Sequence, residues 1–133
     1  MMTRLSTSIY VLRLVSEKYY VGKSSNIHNR ILSHFTNQGA CWTKKYKPVE
    51  VVEILSNADP FDEDKKVKQY MMKYGIDAVR GGSYSKINLS SYEVNFIKRE
   101  LRTASDSCFK CGENNHFESN CNCKWNLKVL INY

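Results

Sequence analysis

Apolar and polar positions alternate first between Ser8 and Leu14, a run rich in β-forming residues. A second run of this kind, Lys18 to Gly22, follows Val15-Ser16-Glu17-Lys18, which reads as a turn, so the two form a hairpin. Past Gly22, where the backbone must turn, the period changes. Ile27, Ile31 and Phe35 recur at i, i+4 and i+8, which predicts a helix capped by Ser24, Ser25 or Asn26 and stopped near Asn37-Gln38-Gly39. Cys41 to Pro48 is expected to be loop. Val49 to Leu55 reads as a third strand, broken by Asn57-Ala58-Asp59-Pro60. A second helix is predicted from about Asp62 to Tyr74, with Val67, Tyr70, Met71 and Tyr74 apolar and Gly75 as its stop. Arg80-Gly81-Gly82-Ser83-Tyr84 is a turn, either plain or one that offers backbone donors to phosphate. A last helix is predicted over Tyr92 to Arg102, capped by Ser90 or Ser91, with Tyr92, Phe96, Ile97 and Leu101 as its buried face.

This order predicts an α/β domain over residues 1–103, with a small three-stranded antiparallel sheet flanked by helices. Thr103 to Ser107 is small and polar and reads as a linker. A compact appendage over residues 104–125 and a tail over 126–133 complete the expected organisation. The 133 residues are 42% hydrophobic, which suits a globular core. No apolar run approaches membrane-spanning length, and Met1-Met2-Thr3-Arg4 lacks the apolar segment of a signal peptide. The expected location is intracellular, with no membrane partner.

Charge narrows the choice of partner. Residues 1–103 hold 17 Lys/Arg against 10 Asp/Glu, while residues 104–133 hold 3 of each, so the whole net charge of +7 lies in the first part. A polyanion is expected to dock there. Trp42 and Tyr46 are interleaved with Lys44, Lys45 and Lys47, and aromatic faces can stack on bases while ammonium groups meet phosphates. Trp42 as a core plug, with the lysines as a solvated face, is the competing and compatible reading.

The hairpin and the first helix bring Tyr10, Tyr20, Lys23, Arg30 and His34 to one edge of the sheet. Arg30 and His34 are four apart and share one strip of their helix. Cutting a phosphodiester needs an activated water and neutralised charge at phosphorus. Arg30 has the planar fork that matches phosphate oxygens. A phenol of ordinary pKa, near 10, must be lowered to act as a base, and Lys23, Arg30 and His34 are placed to lower it. A hard metal ion needs an oxygen ligand. Of Asp62, Glu63 and Asp64, Glu63 shares the phase of Val67, Tyr70 and Tyr74, so it faces the core and is the better candidate.

Ser8-Ile9-Tyr10 and Tyr20-Val21-Gly22, with Arg30 and His34 downstream, resemble a GIY-YIG nuclease domain. Ser stands for the first Gly of the family name and Val for the second Ile. Gly39 to Pro48 and Tyr74 to Tyr84 are similar to members from large DNA viruses, and about the first hundred residues are covered. The resemblance implies a DNA endonuclease using one Mg²⁺ or Mn²⁺, with Tyr10 as general base, Tyr20 in support, His34 as a proton relay and Glu63 as the metal ligand. The alternative is a DNA- or RNA-binding protein that keeps the fold without cutting.

Four of the five cysteines fall within sixteen residues near the C-terminus. Cys108, Cys111, His116 and Cys121 have the spacing C-x2-C-x4-H-x4-C, a closed four-ligand set for one structural Zn²⁺. This resembles a retroviral-type CCHC zinc knuckle. Phe109 and Phe117 are placed to stack on unpaired bases, which admits RNA as well as DNA.

Overall fold

The computed structural model describes residues 6–104. They fall in two compact units, one up to Leu89 and one from Ser90. The zinc-ligand candidates Cys108, Cys111, His116 and Cys121, and the stacking candidates Phe109 and Phe117, lie outside the described residues.

In the first unit, strands β1 (Ser8–Leu14) and β2 (Lys18–Ser24) form the expected hairpin, closed by a 3-10 turn over Val15–Glu17. Helix α1 (Ile27–Phe35) follows, capped by Asn26, whose Oδ1 accepts from the Asn29 N–H at 3.4 Å. Asn37, at φ 64°, supplies the left-handed residue just past its end. Strand β3 (Pro48–Leu55) pairs antiparallel with β1, with register shifts at Val11/Leu12 and Arg13/Leu14. Helix α3 (Asp62–Tyr74) ends at Gly75, whose φ of 104° a side chain would resist.

Two expectations need correction. The sheet has four strands, in the order β3-β1-β2-β4, and is mixed. Strand β4 (Val79–Gly81) runs parallel to β2, pairing Tyr19 with Val79, Tyr20 with Arg80 and Val21 with Gly81. Three residues are too few to show any alternation, so this strand reads as part of a turn in the sequence. The segment expected as loop contains a helical turn, α2 (Cys41–Lys45).

Alternation along the hairpin decides what lies on each face. Tyr10, Leu12, Leu14 and Tyr20 form one buried cluster with Trp42, against which Ile27, Ile31, Ala40, Tyr46 and Ile87 pack. Tyr19 points the other way and stacks on Tyr74 of α3, with ring centres 4.1 Å apart. Burying each large apolar side chain of the cluster contributes roughly 1.5–3 kcal/mol. Phe35 does not complete the apolar stripe of α1 and stays exposed; the buried residue of that helix is His34.

The second unit contributes helix α4 (Ser91–Ala104). Its buried face is narrower than expected. Ile97 is fully buried, but Tyr92 is 79% exposed and Phe96 49%.

Candidate active site

Strand β1 presents Tyr10 and strand β2 presents Tyr20 on the same face, and α1 lays His34 over both. The His34 ring centre is 5.5 Å from that of Tyr10 and 4.9 Å from that of Tyr20. The Tyr10 hydroxyl and His34 Nε2 are 2.7 Å apart, and both side chains are fully buried. His34 Nδ1 is 2.8 Å from Thr43 Oγ1, and the Thr43 hydroxyl donates to the Ala40 carbonyl at 3.1 Å. These contacts assign the tautomer. A hydroxyl has one proton, and Thr43 gives it to Ala40, so Thr43 accepts from His34 Nδ1–H. His34 Nε2 is then left as an acceptor, and the Tyr10 hydroxyl donates to it. The chain of donors runs from Tyr10 through His34 and Thr43 to the backbone of Ala40.

The electrostatics differ from the expectation in one respect. Burial, with some help from Tyr20, pushes the Tyr10 phenol well above its ordinary value, and the pull of Arg30 in the opposite direction is too small to reverse this. Burial raises Tyr20 as well, again against Arg30. Burial and the Arg30 charge hold His34 down at about 4. In the free protein the pair is therefore neutral on both sides, and the phenol is not lowered by surrounding cations. The reason is burial: loss of water around the phenol outweighs the guanidinium beside it.

Arg30 is partly exposed beside both phenols. Its Nη1 donates to Ser33 Oγ at 3.3 Å, and Ser33 Oγ donates to the Arg30 carbonyl at 2.6 Å, which props the guanidinium on its own helix. Lys23 does not reach the phenols as a partner. Its Nζ lies 3.6 Å from Glu63 Oε1.

The three acids of α3 have three different surroundings. Asp62 Oδ2 accepts from the Asp59 N–H at 2.8 Å and holds the preceding loop. Asp64 accepts from the Ser83 N–H at 2.8 Å and from its hydroxyl at 2.7 Å, tying α3 to the turn after β4. Glu63 is half-buried; burial raises its carboxyl, opposed by the Lys23 charge. Among the described residues no group of three or more His, Cys, Asp or Glu converges as a metal cluster. Mg²⁺ does not require one, since it keeps several waters and is often held by one or two carboxylates plus substrate phosphates. Glu63 fits that pattern as the single protein oxygen donor.

The remaining sequence candidates divide by exposure. Lys44, Lys45 and Lys47 are exposed. Trp42 is only 3% exposed, its Nε1–H donating to the Tyr19 carbonyl at 3.0 Å, so its ring is a core plug with no open face for bases. Arg80 is buried too. Its guanidinium caps the carbonyls of Ile76, Val79, Lys86 and Ile87 at 2.7–3.1 Å and lies over Trp42. It is positioned as a clamp for the chain after β4, where the sequence suggested a phosphate contact. The sequence gives Thr43 no role and Gly39 only that of a helix stop, so their place beside His34 is new. A side chain at Gly39 would overlap the His34 ring at Nδ1, so this position keeps the space that the ring and Thr43 share.

The chain is 26% identical over 132 residues to UvrABC system protein C of Fusobacterium nucleatum, a match covering 95% of this chain and 22% of that protein. It is 28% identical over 64 residues to a UPF0213 protein of Oceanobacillus iheyensis, covering 46% of this chain and 74% of that one. No solved structure matches the chain significantly. The segment that holds the two tyrosines, Lys23, Arg30, His34, Thr43 and Glu63 is the one with a family match: residues 6–64 match the GIY-YIG catalytic domain.

Proposed function

We propose that this chain is a divalent-metal-dependent endonuclease that hydrolyses DNA phosphodiester bonds. The observation that carries the reading is the fixed Tyr10–His34 pair, with Arg30 beside it and Glu63 on the neighbouring helix. Tyr10 keeps its own proton in the free protein, so it cannot wait as a phenolate. Instead the pair works as a relay. As Tyr10 Oη takes a proton from the attacking water, its own proton passes to His34 Nε2. The imidazolium so formed keeps its Nδ1–H on Thr43. Such positioned proton transfer typically contributes on the order of 10²–10⁴-fold in rate.

Arg30 meets the scissile phosphate, its fork matched to two oxygens. Glu63 would hold the Mg²⁺ or Mn²⁺, and Lys23 steadies that carboxylate. When bound there, the ion would supply charge neutralisation at the phosphate. Lys44, Lys45 and Lys47 add backbone attraction, consistent with the net charge of +7. Cys108, Cys111, His116 and Cys121 are read as one structural Zn²⁺ site that aids binding through Phe109 and Phe117; its four protein ligands leave no open position for chemistry.

The test is cleavage of single-stranded, duplex, flapped and branched DNA with and without Mg²⁺ or Mn²⁺. Metal-dependent cutting that is lost in Tyr10→Phe and Glu63→Gln supports the reading. No cutting of any substrate, or cutting indifferent to both substitutions, overturns it.

A further inference from the structure

Two neighbours act on the Glu63 carboxylate, and they act differently. Lys23 Nζ lies 3.6 Å away at the end of an exposed side chain. An ammonium so placed attracts a carboxylate but does little to fix its direction. The other neighbour is backbone: the Gly82 N–H donates to the Glu63 carboxylate. The two residues are packed together, since a methyl group at Gly82 would lie 3.4 Å from Glu63 Cγ.

The position of that N–H is set from several sides. The Gly81 N–H donates to the Tyr84 carbonyl at 3.0 Å and the Tyr84 N–H to the Gly81 carbonyl at 2.8 Å, which closes a turn with Gly82 and Ser83 at its tip. Gly82 has a φ of 51°, a left-handed value that glycine adopts without strain. Asp64, next to Glu63 on α3, spends both its oxygens on the tip. Its Oδ1 accepts from the Ser83 N–H at 2.8 Å and its Oδ2 from the Ser83 hydroxyl at 2.7 Å. The turn itself leaves β4, where Arg80 pairs with Tyr20 and Gly81 with Val21 of β2. Consecutive acids of α3 therefore meet consecutive residues of the turn, and the turn is in register with the strand that carries Tyr20.

A fastener between helix and sheet would need only Asp64 and Ser83. Gly82 adds something else. A side chain there would overlap Asp64 Oδ1, so the glycine is what lets one backbone N–H come up to Glu63 while the clip stays closed. Carboxylates that hold metal ions are commonly fixed in this way by donors behind them.

We propose that Gly82 and Ser83 are positioning residues for Glu63: the Asp64–Ser83 clip sets the turn, and the turn aims the Gly82 N–H at the carboxylate that would hold Mg²⁺ or Mn²⁺. The inference rests on the reading of Glu63 as the metal ligand. It gives the backbone donor of the Gly-Gly-Ser turn to that carboxylate, where the sequence suggested a phosphate.

Two measurements on the full-length protein test it. The first uses metal-free protein and follows the amide resonance of Gly82, identified by its loss in Gly82→Ala. An N–H bonded to a carboxylate resonates downfield, and this signal is expected to move upfield in Glu63→Gln. The second is Mn²⁺ binding, read from the signal of the free ion in electron paramagnetic resonance, beside cleavage at increasing Mn²⁺. Glu63→Gln should lose the bound ion. Gly82→Ala and Ser83→Ala should weaken Mn²⁺ binding about tenfold, the low end for residues that orient a metal ligand. Ser83→Thr keeps the hydroxyl and should bind as wild type does. Saturating Mn²⁺ should restore the cleavage rate of Ser83→Ala, which has an exposed side chain to lose and should fold. An unmoved Gly82 resonance overturns the proposal. So does unchanged Mn²⁺ affinity in Ser83→Ala and Gly82→Ala while Glu63→Gln loses the ion, even where thermal stability falls, since the clip is then a fastener alone. Unchanged affinity in Glu63→Gln as well removes the metal assignment of Glu63 and the proposal with it.

Discussion

Tyr10 and Gly22 are direct cross-strand partners in the β1–β2 hairpin, and a methyl group at Gly22 would overlap the Tyr10 hydroxyl and crowd the Tyr20 ring. The glycine that closes the second triplet is therefore a space requirement for the first. Gly22→Ala should push Tyr10 away from His34. The cost to stability is expected to be about 1–3 kcal/mol, as for other overpacked sites. The cost to cleavage should be larger in proportion, because the relay needs the 2.7 Å contact. Thermal unfolding and single-turnover cleavage on the same preparation check this; unchanged cleavage in a folded Gly22→Ala protein contradicts it.

Thr43→Val keeps the shape of the side chain and removes the acceptor of His34 Nδ1–H. A buried donor left without a partner costs about 1–3 kcal/mol. The imidazole is then free to take the other tautomer, in which Nε2 carries the proton and cannot accept from Tyr10. The turnover rate should fall on the order of tenfold or more with little change in DNA affinity, and Thr43→Ser should restore it. A KM effect with an unchanged rate would place Thr43 in binding and not in the relay.

Much of this architecture was legible because it is written in long periodic segments. The β1–β2 hairpin, β3 and α3 follow from alternation and helical phase, and Asn26, Gly75 and Asn37 mark ends by their own backbone preferences. The misses share a cause. β4 is held by pairing with β2, and the turn of helix α2 is held by Trp42, the core plug that is one of its two readings, docked on the sheet; both are tertiary facts with no local signature. Arg80 is polar in sequence and buried in structure because four carbonyls surround its guanidinium. On α4 the error ran the other way, since Tyr92 and Phe96 fit an apolar phase yet stay exposed. In the site, the residue types pointed to Tyr10, His34 and Arg30, but the direction of the Tyr10 pKa depends on burial and could not be read from neighbours in sequence.

Arg30→Ala should leave the fold intact, since Arg30 is only partly buried and, of the hydroxyls its side chain meets, Ser33 lies on its own helix and Tyr10 keeps its contact with His34. Losing a preorganised phosphate contact typically costs on the order of a hundredfold or more in rate. Arg30→Lys should recover only part of this, because an ammonium lacks the planar fork. Raised His34 basicity is a second readout, since the Arg30 charge helps hold that pKa down. Near-wild-type cleavage by folded Arg30→Ala would remove Arg30 from the site.

Glu63→Gln, Asp62→Asn and Asp64→Asn separate the three acids of α3 by what each one holds. Glu63→Gln should abolish metal-dependent cleavage with little loss of stability, because its ion pair with Lys23 is long, at 3.6 Å, and the lysine is exposed. Asp64→Asn should cost stability through its two bonds to Ser83, and Asp62→Asn should loosen the Asp59 loop; neither should reproduce the Glu63 defect. Metal titrations beside unfolding curves distinguish these outcomes. Equal loss of cleavage in all three would show that the phase of Glu63 does not select it.

The pH response follows from His34. Its pKa in the folded protein is about 4, against an ordinary value near 6.5. Between these values the unfolded chain binds a proton at this residue and the folded chain does not, so stability falls as pH drops through that window. Above the ordinary value the contribution is constant, and below about 4 both states are protonated and the slope vanishes. The steepest part is roughly 1 kcal/mol per pH unit for one group. Cleavage should share the lower limit, because a protonated Nε2 cannot accept from Tyr10. Urea midpoints measured from neutral pH down to the acid limit, for wild type and His34→Gln, read the first effect; carboxylates contribute to both proteins and cancel in the comparison. Wild type should lose more stability than His34→Gln over the window, while single-turnover rates of wild type hold until the pH approaches the folded-state value. Identical stability slopes in the two proteins would mean that His34 titrates as an ordinary exposed histidine, and the buried relay would lose its basis.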